Sequence, residues 1–295
     1  MSIERFYLGM PFWGFRDWVG NLYADGTQPR DFLEQYATVF NAVEGNTTFY
    51  HLPGARTVAR WKAQTPESFR FSFKFPHEVT HKLALRNAGA IVASFLRTLA
   101  PLGPRLGPYM LQLPARFGPP QLGQLDRFLG ELPKGLPVAV ELRHPALCAG
   151  EGERRANELL AARGVDRVLM DTRAMRSGDP SHPDVVEAAH KKPDLPVHRV
   201  VTAGTPFARV VGHPDPAVNE PWLQRWASHL VAWIDGGRTP YFYAHVPNNL
   251  HAPPLARRLH ALIGTPAWLL ASKLANRHAV LAGADALRKR WRHAV

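Results

Sequence analysis

The chain has 295 residues, 45% of them hydrophobic and 20% charged, a composition typical of a folded globular protein. It contains no apolar run near the length of about 20 residues that a membrane-spanning helix needs, and its first residues lack the charged-then-apolar pattern of a secretory signal. Cys148 is the single cysteine, which excludes an intrachain disulfide and favours the reducing cytoplasm.

Eight short apolar runs of β-strand character recur at intervals of roughly 25–40 residues. We predict strands at residues 5–9, 42–46, 70–75, 109–113, 137–141, 167–171, 208–212 and 241–246. Helical patterns lie between most of them, at residues 29–40, 57–64, 87–100, 121–129, 152–163, 220–234 and 254–263.

Strand–helix alternation repeated eight times predicts an α/β protein, a single TIM-type (β/α)8 barrel over residues 1–265. The alternative is an open doubly wound sheet, which would favour a glycine-rich phosphate loop, and the sequence has none. Residues 172–205 offer only a short helix near 184–191, and we interpret this long segment as a functional loop. Residues 266–295 are predicted to form a basic helical extension packed on the barrel.

Polar or charged residues stand at or just after the predicted strand ends, which meet at one mouth of such a barrel. Burying an unpaired charge is unfavourable, so this recurrence predicts a ligand site. The candidates along the chain are Glu44, Asn46, Lys74, Gln112, Glu141, Arg143, Asp171, Arg209, His213, His245 and Asn248. The alternative is a structural layer of ion pairs, for example Glu44 with Lys74 and Glu141 with Arg209.

The candidate groups suggest acid–base chemistry on an anionic ligand. Glu44 and Glu141 would act as general base and acid if their environments differ, with Asp171 as a further catalytic candidate. We interpret Lys74 as a cation and not as a nucleophile, because neighbouring carboxylates would raise its pKa. Arginine forks suit carboxylate or phosphate binding, which assigns Arg143 and Arg209 to the ligand.

Two further hypotheses about the predicted site concern a metal ion and a group of aromatic rings. Dispersed oxygen and nitrogen donors would form an alternative metal site, made of Glu141, Asp171, His213 and His245. No motif anchors that site and no cofactor is evident. Trp13, Phe49 and Tyr50 follow the first two strands, and they predict either a stacking platform for a base or sugar ring or ordinary packing.

The formal net charge of +12 is unevenly placed, since residues 251–295 hold eight Lys or Arg and one acid. Such a basic segment can attract nucleic acid, or it can be a solvated surface. The sequence therefore keeps three hypotheses: an enzyme of hydrolase, lyase or isomerase type for a phosphate-bearing or nucleotide-like ligand, a nucleic-acid-binding or processing protein, and a non-catalytic assembly partner.

Four motifs resemble the YecE-like family, known as domain of unknown function 72. They are the Leu8-Gly9 start with the later Trp13, Trp18, Gly20 and Tyr23; residues 40–50, FNAVEGNTTFY; residues 69–76, FRFSFKFP, with the following Thr80 and His81; and residues 111–114 and 140–145, LQLP and VELRHP. The resemblance covers roughly residues 3–265. It implies a TIM-type barrel and a family site that includes Glu44, Asn46, Lys74, Gln112, Glu141, Arg143, Asp171 and Arg209, and it brings no established reaction.

Overall fold

A computed structural model describes residues 6–197 and 199–264. All eight predicted strands are present, each within two residues of the expected ends. They are β1 (Tyr7–Gly9), β2 (Ala42–Gly45), β3 (Arg70–Phe73), β4 (Tyr109–Gln112), β5 (Val138–Glu141), β6 (Asp166–Asp171), β7 (Phe207–Val211) and β8 (Tyr241–His245).

Helices alternate with these strands as predicted. In chain order they are α1 (Phe32–Val39), α2 (Ala55–Gln64), α3 (Gly89–Leu99), α4 (Leu122–Glu131), α5 (Gly150–Ala162), α6 (Arg173–Arg176), α7 (Pro183–Lys191), α8 (Pro216–Asp235) and α9 (Ala252–Leu262). Two of them show clear start signals: Asp215 caps α8 by accepting a hydrogen bond from the Ala217 N–H at 2.9 Å, and a proline opens α7.

The strands form a curled parallel sheet with the helices packed against it, which confirms an α/β architecture. Six strands pair in the order β1-β8-β7-β6-β5-β4, and β2 pairs with β3 in a separate ladder. Isolated backbone hydrogen bonds link the two ladders. The Glu44 N–H donates to the Met10 oxygen at 3.0 Å on one side, and on the other the Phe75 N–H donates to the Met110 oxygen and the Gly107 N–H to the Phe71 oxygen, both at 2.9 Å.

Both faces of the strands are buried, as expected for a parallel sheet. The concave face carries a cluster made of Ala42, Met110, Ala139, Val168, Phe207, Tyr241 and Tyr243. The other face packs against the helices; for example, Trp61 of α2 stacks on Phe73 of β3 with ring centroids 5.5 Å apart. Among the buried charged strand residues, Glu44, Glu141, Asp171 and Arg209 lie toward the carboxyl ends of their strands, whereas Asp166 and Arg167 begin β6.

Side chains complete the junction between β1 and β2. The Asn41 amide oxygen accepts a hydrogen bond from the Leu8 N–H at 2.8 Å, and its amide nitrogen donates to the Phe6 oxygen at 2.8 Å. The Tyr36 hydroxyl donates to the Ala42 oxygen at 2.9 Å. These bonds satisfy backbone groups that a continuous strand ladder would otherwise pair.

The long segment between β6 and β7 carries α6 and α7, and the short helix expected near residues 184–191 is confirmed as α7. Val185 and Ala188 of α7 pack on Met175 and Val211 in a small cluster separate from the main core. This packing fixes α7 beside the carboxyl ends of the strands.

Across the described residues, no helix is both long and apolar enough to cross a membrane. The extension expected at residues 266–295, with most of the basic C-terminal residues, lies outside the described residues.

Asn41→Ala should lower the free energy of unfolding by about 1–3 kcal/mol, because it leaves two backbone groups without partners. Urea unfolding of the full chain measures this loss. Asn21→Ala, at an exposed asparagine, is the matched control and should change stability by less than about 0.5 kcal/mol. Equal losses in the two variants would show that Asn41 does not hold the junction.

Candidate functional site

The guanidinium group of Arg209 bridges two buried carboxylates at the carboxyl end of the sheet. Its Nε and Nη2 donate to the two oxygens of Glu44 at 2.8 and 2.7 Å, and its Nη1 donates to Glu141 Oε2 at 2.5 Å. Both glutamates are 0% exposed and Arg209 is 3% exposed. One cation thus joins the ends of β2, β5 and β7.

The environments of the two glutamates shift their pKa values in the same direction. Burial alone would raise the pKa of Glu44, but Arg209 and His245 outweigh burial and hold it well below its usual range. Burial likewise opposes ionisation of Glu141, yet Arg143, Arg209 and Lys74 lower its pKa to about 2. Both glutamates are therefore ionised at neutral pH. Their environments do not differ in the way that would make one a general acid and the other a general base.

His245 completes the shell around Glu44, with its Nε2 3.2 Å from Glu44 Oε2. Burial lowers the pKa of His245 to about 4, although Glu44 opposes the shift. The ring is therefore neutral at pH 7 and donates its Nε2 proton to the ionised carboxylate.

A second layer of contacts connects Arg143, Gln112 and Lys74. Arg143 donates from Nε to Glu141 Oε1 at 2.5 Å and from Nη2 to Gln112 Oε1 at 3.1 Å. The same Gln112 oxygen accepts a hydrogen bond from Lys74 Nζ at 3.0 Å. Lys74 Nζ also lies 5.2 Å from the centroid of the Phe49 ring, within the range of a cation–π contact.

The pKa of Lys74 is shifted in the direction opposite to the one expected from the sequence. Burial and the charge of Arg209 lower its pKa to about 8, and the opposing effects of Glu44 and Glu141 do not compensate. Glu44 and Glu141 do raise the pKa of Lys74, as expected, but burial and Arg209 outweigh them, so the net shift is downward. Within residues 6–197 and 199–264, Lys74 forms no ion pair.

Lys192 is a site residue that the sequence did not reveal. It follows the last residue of α7, is half-buried, and contributes to the same mouth. Burial and Arg209 lower its pKa to about 8, against the opposing pull of the two glutamates. The one sequence signal for Lys192 was its position within residues 172–205, the long segment interpreted above as a functional loop.

A pocket with a volume of about 450 Å³ opens above these charges. The strand ends, the loop after β1 and α7 contribute its walls. They include Phe12, Asn46, Phe49, Tyr50, Lys74, Gln112, Arg143, Glu187, Lys192, Arg209, His245 and Asn249. Asn46 donates to the Pro11 oxygen at 2.9 Å, whereas its buried Oδ1 accepts no hydrogen bond from any described residue.

The two aromatic candidates after β2 occupy one side of this pocket. Tyr50 is 72% exposed, which makes it the most open large apolar side chain among the described residues. Phe49 packs edge-on against His77 and His81, each 5.2 Å away between ring centroids. The two histidine rings stack at 4.6 Å, and burial and the charge of neighbouring cations lower the pKa of His81 to about 4.

Two predicted site residues, Asp171 and His213, lie outside the pocket and form hydrogen bonds with other groups. Asp171 accepts hydrogen bonds from Arg173 at 2.8 Å and from the Trp226 indole at 2.9 Å, on the helix side of the sheet. His213 Nδ1 accepts from the Asp215 N–H at 3.0 Å, and its ring is 3% exposed.

The four residues of the alternative metal site are therefore not brought together. The described residues contain no group of three or more His, Cys, Asp or Glu side chains placed to hold a metal ion.

Trp13 and Asn248 also differ from their expected places. Trp13 packs edge-on against Trp61 and Phe71 at centroid distances of 5.4 and 6.1 Å, and it is absent from the pocket lining. Asn248 accepts a hydrogen bond from the Leu250 N–H at 3.1 Å and so caps the short turn after β8. Its neighbour Asn249 is the residue that reaches the pocket.

The ion-pair layer and the pocket coexist. The pairing of Glu141 with Arg209 is present, but that of Glu44 with Lys74 is not, because Arg209 takes both oxygens of Glu44. The carboxylates are thereby neutralised below the pocket, and Lys74 and Lys192 face it without a carboxylate partner among the described residues.

The curled parallel sheet, its surrounding helices and the polar cluster at the carboxyl ends define an α/β protein of TIM-like class. The model of the family described as "Protein of unknown function DUF72" matches residues 7–278, and the chain belongs to that family. The chain is 42% identical to UPF0759 protein YecE of Escherichia coli strain K12 over 254 residues, which cover 86% of this chain and 90% of that protein. A shorter match, 34% over 68 residues, joins 23% of this chain to 23% of UPF0759 protein YunF of Bacillus subtilis strain 168.

Crystal structures of DUF72 family proteins share the fold. One from Enterococcus faecalis V583 aligns with a TM-score of 0.66 and 18% identity, covering 88% of this chain and 96% of that one. Another from Thermotoga maritima MSB8 aligns with a TM-score of 0.64 and 21% identity, covering 88% and 100%.

Arg209→Met should lower the free energy of unfolding by about 3–5 kcal/mol, since it leaves two buried carboxylates without their cation. Adding Glu44→Gln and Glu141→Gln should recover a large part of the loss by removing the uncompensated charges. Urea unfolding at pH 7 measures all three stabilities.

Arg154→Met is the control for this series. Arg154 pairs with Glu151 and Glu158 at the surface and is 60% exposed, so its loss should cost less than about 1 kcal/mol. A loss in Arg209→Met no larger than that in Arg154→Met would show that the buried bridge contributes little.

Proposed function

We propose that this protein is an enzyme that binds an anionic, phosphate-bearing or nucleotide-like ligand in the pocket at the carboxyl end of its sheet. The observation that carries the proposal is the pair Lys74 and Lys192, two cations that face one pocket with no carboxylate partner among the described residues.

The charge distribution supports an anion and not a cation as the ligand. Glu44 and Glu141 lie fully buried below Arg209, and neither belongs to the pocket lining. The lining contains five Lys or Arg side chains and two acids, and one of the acids, Glu187, is paired with Lys191 at 2.5 Å. The five basic residues are Lys74, Arg143, Lys191, Lys192 and Arg209, and the second acid is Asp184. A phosphate or carboxylate group would supply negative charge and further acceptors to this positive lining, in a site partly shielded from water.

The same geometry supports a division of roles. Glu44 and Glu141 position Arg209 and set the field of the pocket. Groups that exchange a proton near neutral pH are better suited to acid–base work, and Lys74 and Lys192, with pKa values of about 8, have that property. Asp171, held by Arg173 and Trp226, supports no direct role at the ligand.

We further propose that the two ladders form one closed (β/α)8 barrel. The support is the bridge between Lys74 and Met110, which joins β3 to β4, and the Glu44 to Met10 hydrogen bond beside β1. Closure would bring all eight strand ends to one mouth, where TIM-type enzymes bind their ligands.

Binding of inorganic pyrophosphate at pH 7 tests the site. Lys74→Gln and Lys192→Gln should each weaken it about tenfold, the loss expected for one charge-assisted hydrogen bond. Isothermal titration calorimetry gives the affinities. Lys134→Gln is the control, because that exposed lysine precedes β5 at the opposite end of the sheet, and it should bind like the unaltered chain.

Equal affinities in all three variants would place pyrophosphate elsewhere, and no binding by the unaltered chain would overturn the proposal.

The affinity for inorganic sulfate should fall as the pH rises above about 8. Sulfate keeps its charge over this range, while Lys74 and Lys192, with pKa values near 8, lose theirs. Titration calorimetry at pH 6.5, 7.5, 8.5 and 9.5 measures the trend. A constant affinity up to pH 9.5 would contradict the assignment, since ordinary surface lysines stay charged there.

A further inference from the structure

Lys74 occupies an unusual setting for a lysine. Its side chain is 8% exposed at the end of β3, yet it lines the 450 Å³ pocket. Its one hydrogen bond goes to the neutral Gln112 oxygen at 3.0 Å, and the Phe49 ring flanks it. The amine is therefore held in place by neutral groups and open toward the pocket.

The nearby carboxylates do not stabilise the charged form of Lys74 enough to offset the rest of its surroundings. Arg209 and His245 occupy the oxygens of Glu44, and Arg209 and Arg143 occupy those of Glu141. Burial and the neighbouring arginines lower the pKa of Lys74 to about 8. At pH 7 about one-tenth of the side chain is then a neutral amine, far more than for an exposed lysine.

We propose that Lys74 is a nucleophile that forms an imine with an aldehyde or ketone whose phosphate or carboxylate group is bound by Lys192 and Arg143. This inference rests on the anion-binding function proposed above and names its substrate class as carbonyl-bearing anions. Desolvation beside other cations is a recognised way to activate an amine for this chemistry.

The reaction needs no oxidant, reductant or second substrate. The lone pair of Lys74 Nζ forms a bond to the carbonyl carbon, and the carbonyl π electrons move to oxygen. A proton passes from nitrogen to that oxygen and gives a carbinolamine. The carbon–oxygen bond then breaks, the oxygen leaves as water with the second nitrogen proton, and a carbon–nitrogen double bond remains. Amine and carbonyl thus become imine and water.

The other two lysines of the mouth are less suited to this role. Lys191 is 68% exposed and pairs with Glu187 at 2.5 Å, which favours its charged form. Lys192 is half-buried and lies at the end of α7, an element anchored by a small cluster of its own. Lys74 stands on a strand end and is fixed by Gln112, so its nitrogen has a defined position relative to the bound anion.

Pyridoxal 5′-phosphate, an aldehyde with a phosphate group, is the probe. The full chain is incubated with it at pH 8, the imine is reduced with borohydride to a stable secondary amine, and modified lysines are identified by peptide mass spectrometry. Lys74 should be labelled at least about tenfold faster than the exposed Lys134, as expected for an activated amine. Added pyrophosphate should slow the labelling of Lys74 and leave Lys134 unaffected.

Lys74→Arg is the matched variant, because arginine keeps the positive charge but has no amine that can form the imine. It should lose the fast label, while a urea unfolding midpoint close to that of the unaltered chain shows that it is folded. Labelling of Lys74 no faster than of Lys134, with pyrophosphate still bound, would overturn the imine and leave anion binding intact. Fast labelling at Lys192 would overturn the assignment to Lys74. Failure to bind pyrophosphate would remove both proposals.

Discussion

The buried bridge from Glu44 through Arg209 to Glu141 is the interaction on which the rest of the site depends. Two fully buried carboxylates are very unfavourable without a cation, and one guanidinium satisfies both with three donated hydrogen bonds. The bridge ties together β2, β5 and β7, which are distant in sequence. It also decides which charges remain for a ligand.

The pairing of the carboxylates with arginines explains which charges face the pocket. Arginine has a planar fork that can serve two carboxylates, whereas lysine is a single compact charge. Arg209 and Arg143 therefore take the carboxylate oxygens, and Lys74 is left with the neutral oxygen of Gln112. Anion binding and a lowered lysine pKa have the same origin, because a site whose carboxylates are already paired both attracts an anion and disfavours another ammonium group.

The pocket's two lysines without a carboxylate partner among the described residues, Lys74 and Lys192, come from different parts of the fold. Strand ends supply Lys74, Gln112, Arg209 and His245 on a backbone fixed by the parallel ladders. The segment between β6 and β7 supplies Lys192, which directly follows α7, a helix that rests on a separate small cluster. The family match and the similar crystal structures extend this fold to other DUF72 proteins. The ligand and reaction proposed here rest on the side chains of this chain.

Sequence by itself determined the eight strands, the alternating helices and the convergence of Glu44, Lys74, Gln112, Glu141, Arg209 and His245. These follow from local patterns, since apolar runs define strands and parallel strands bring their carboxyl ends together. Tertiary structure alone decided the partners. Asp171 faces the helices because strand side chains alternate, and its neighbour Met170 lies in register with Arg209 on the inner face. Lys192 enters the pocket because α7 folds back over the strand ends. Which carboxylate pairs with which cation depends on side chains that are distant in sequence and come together only in the folded protein.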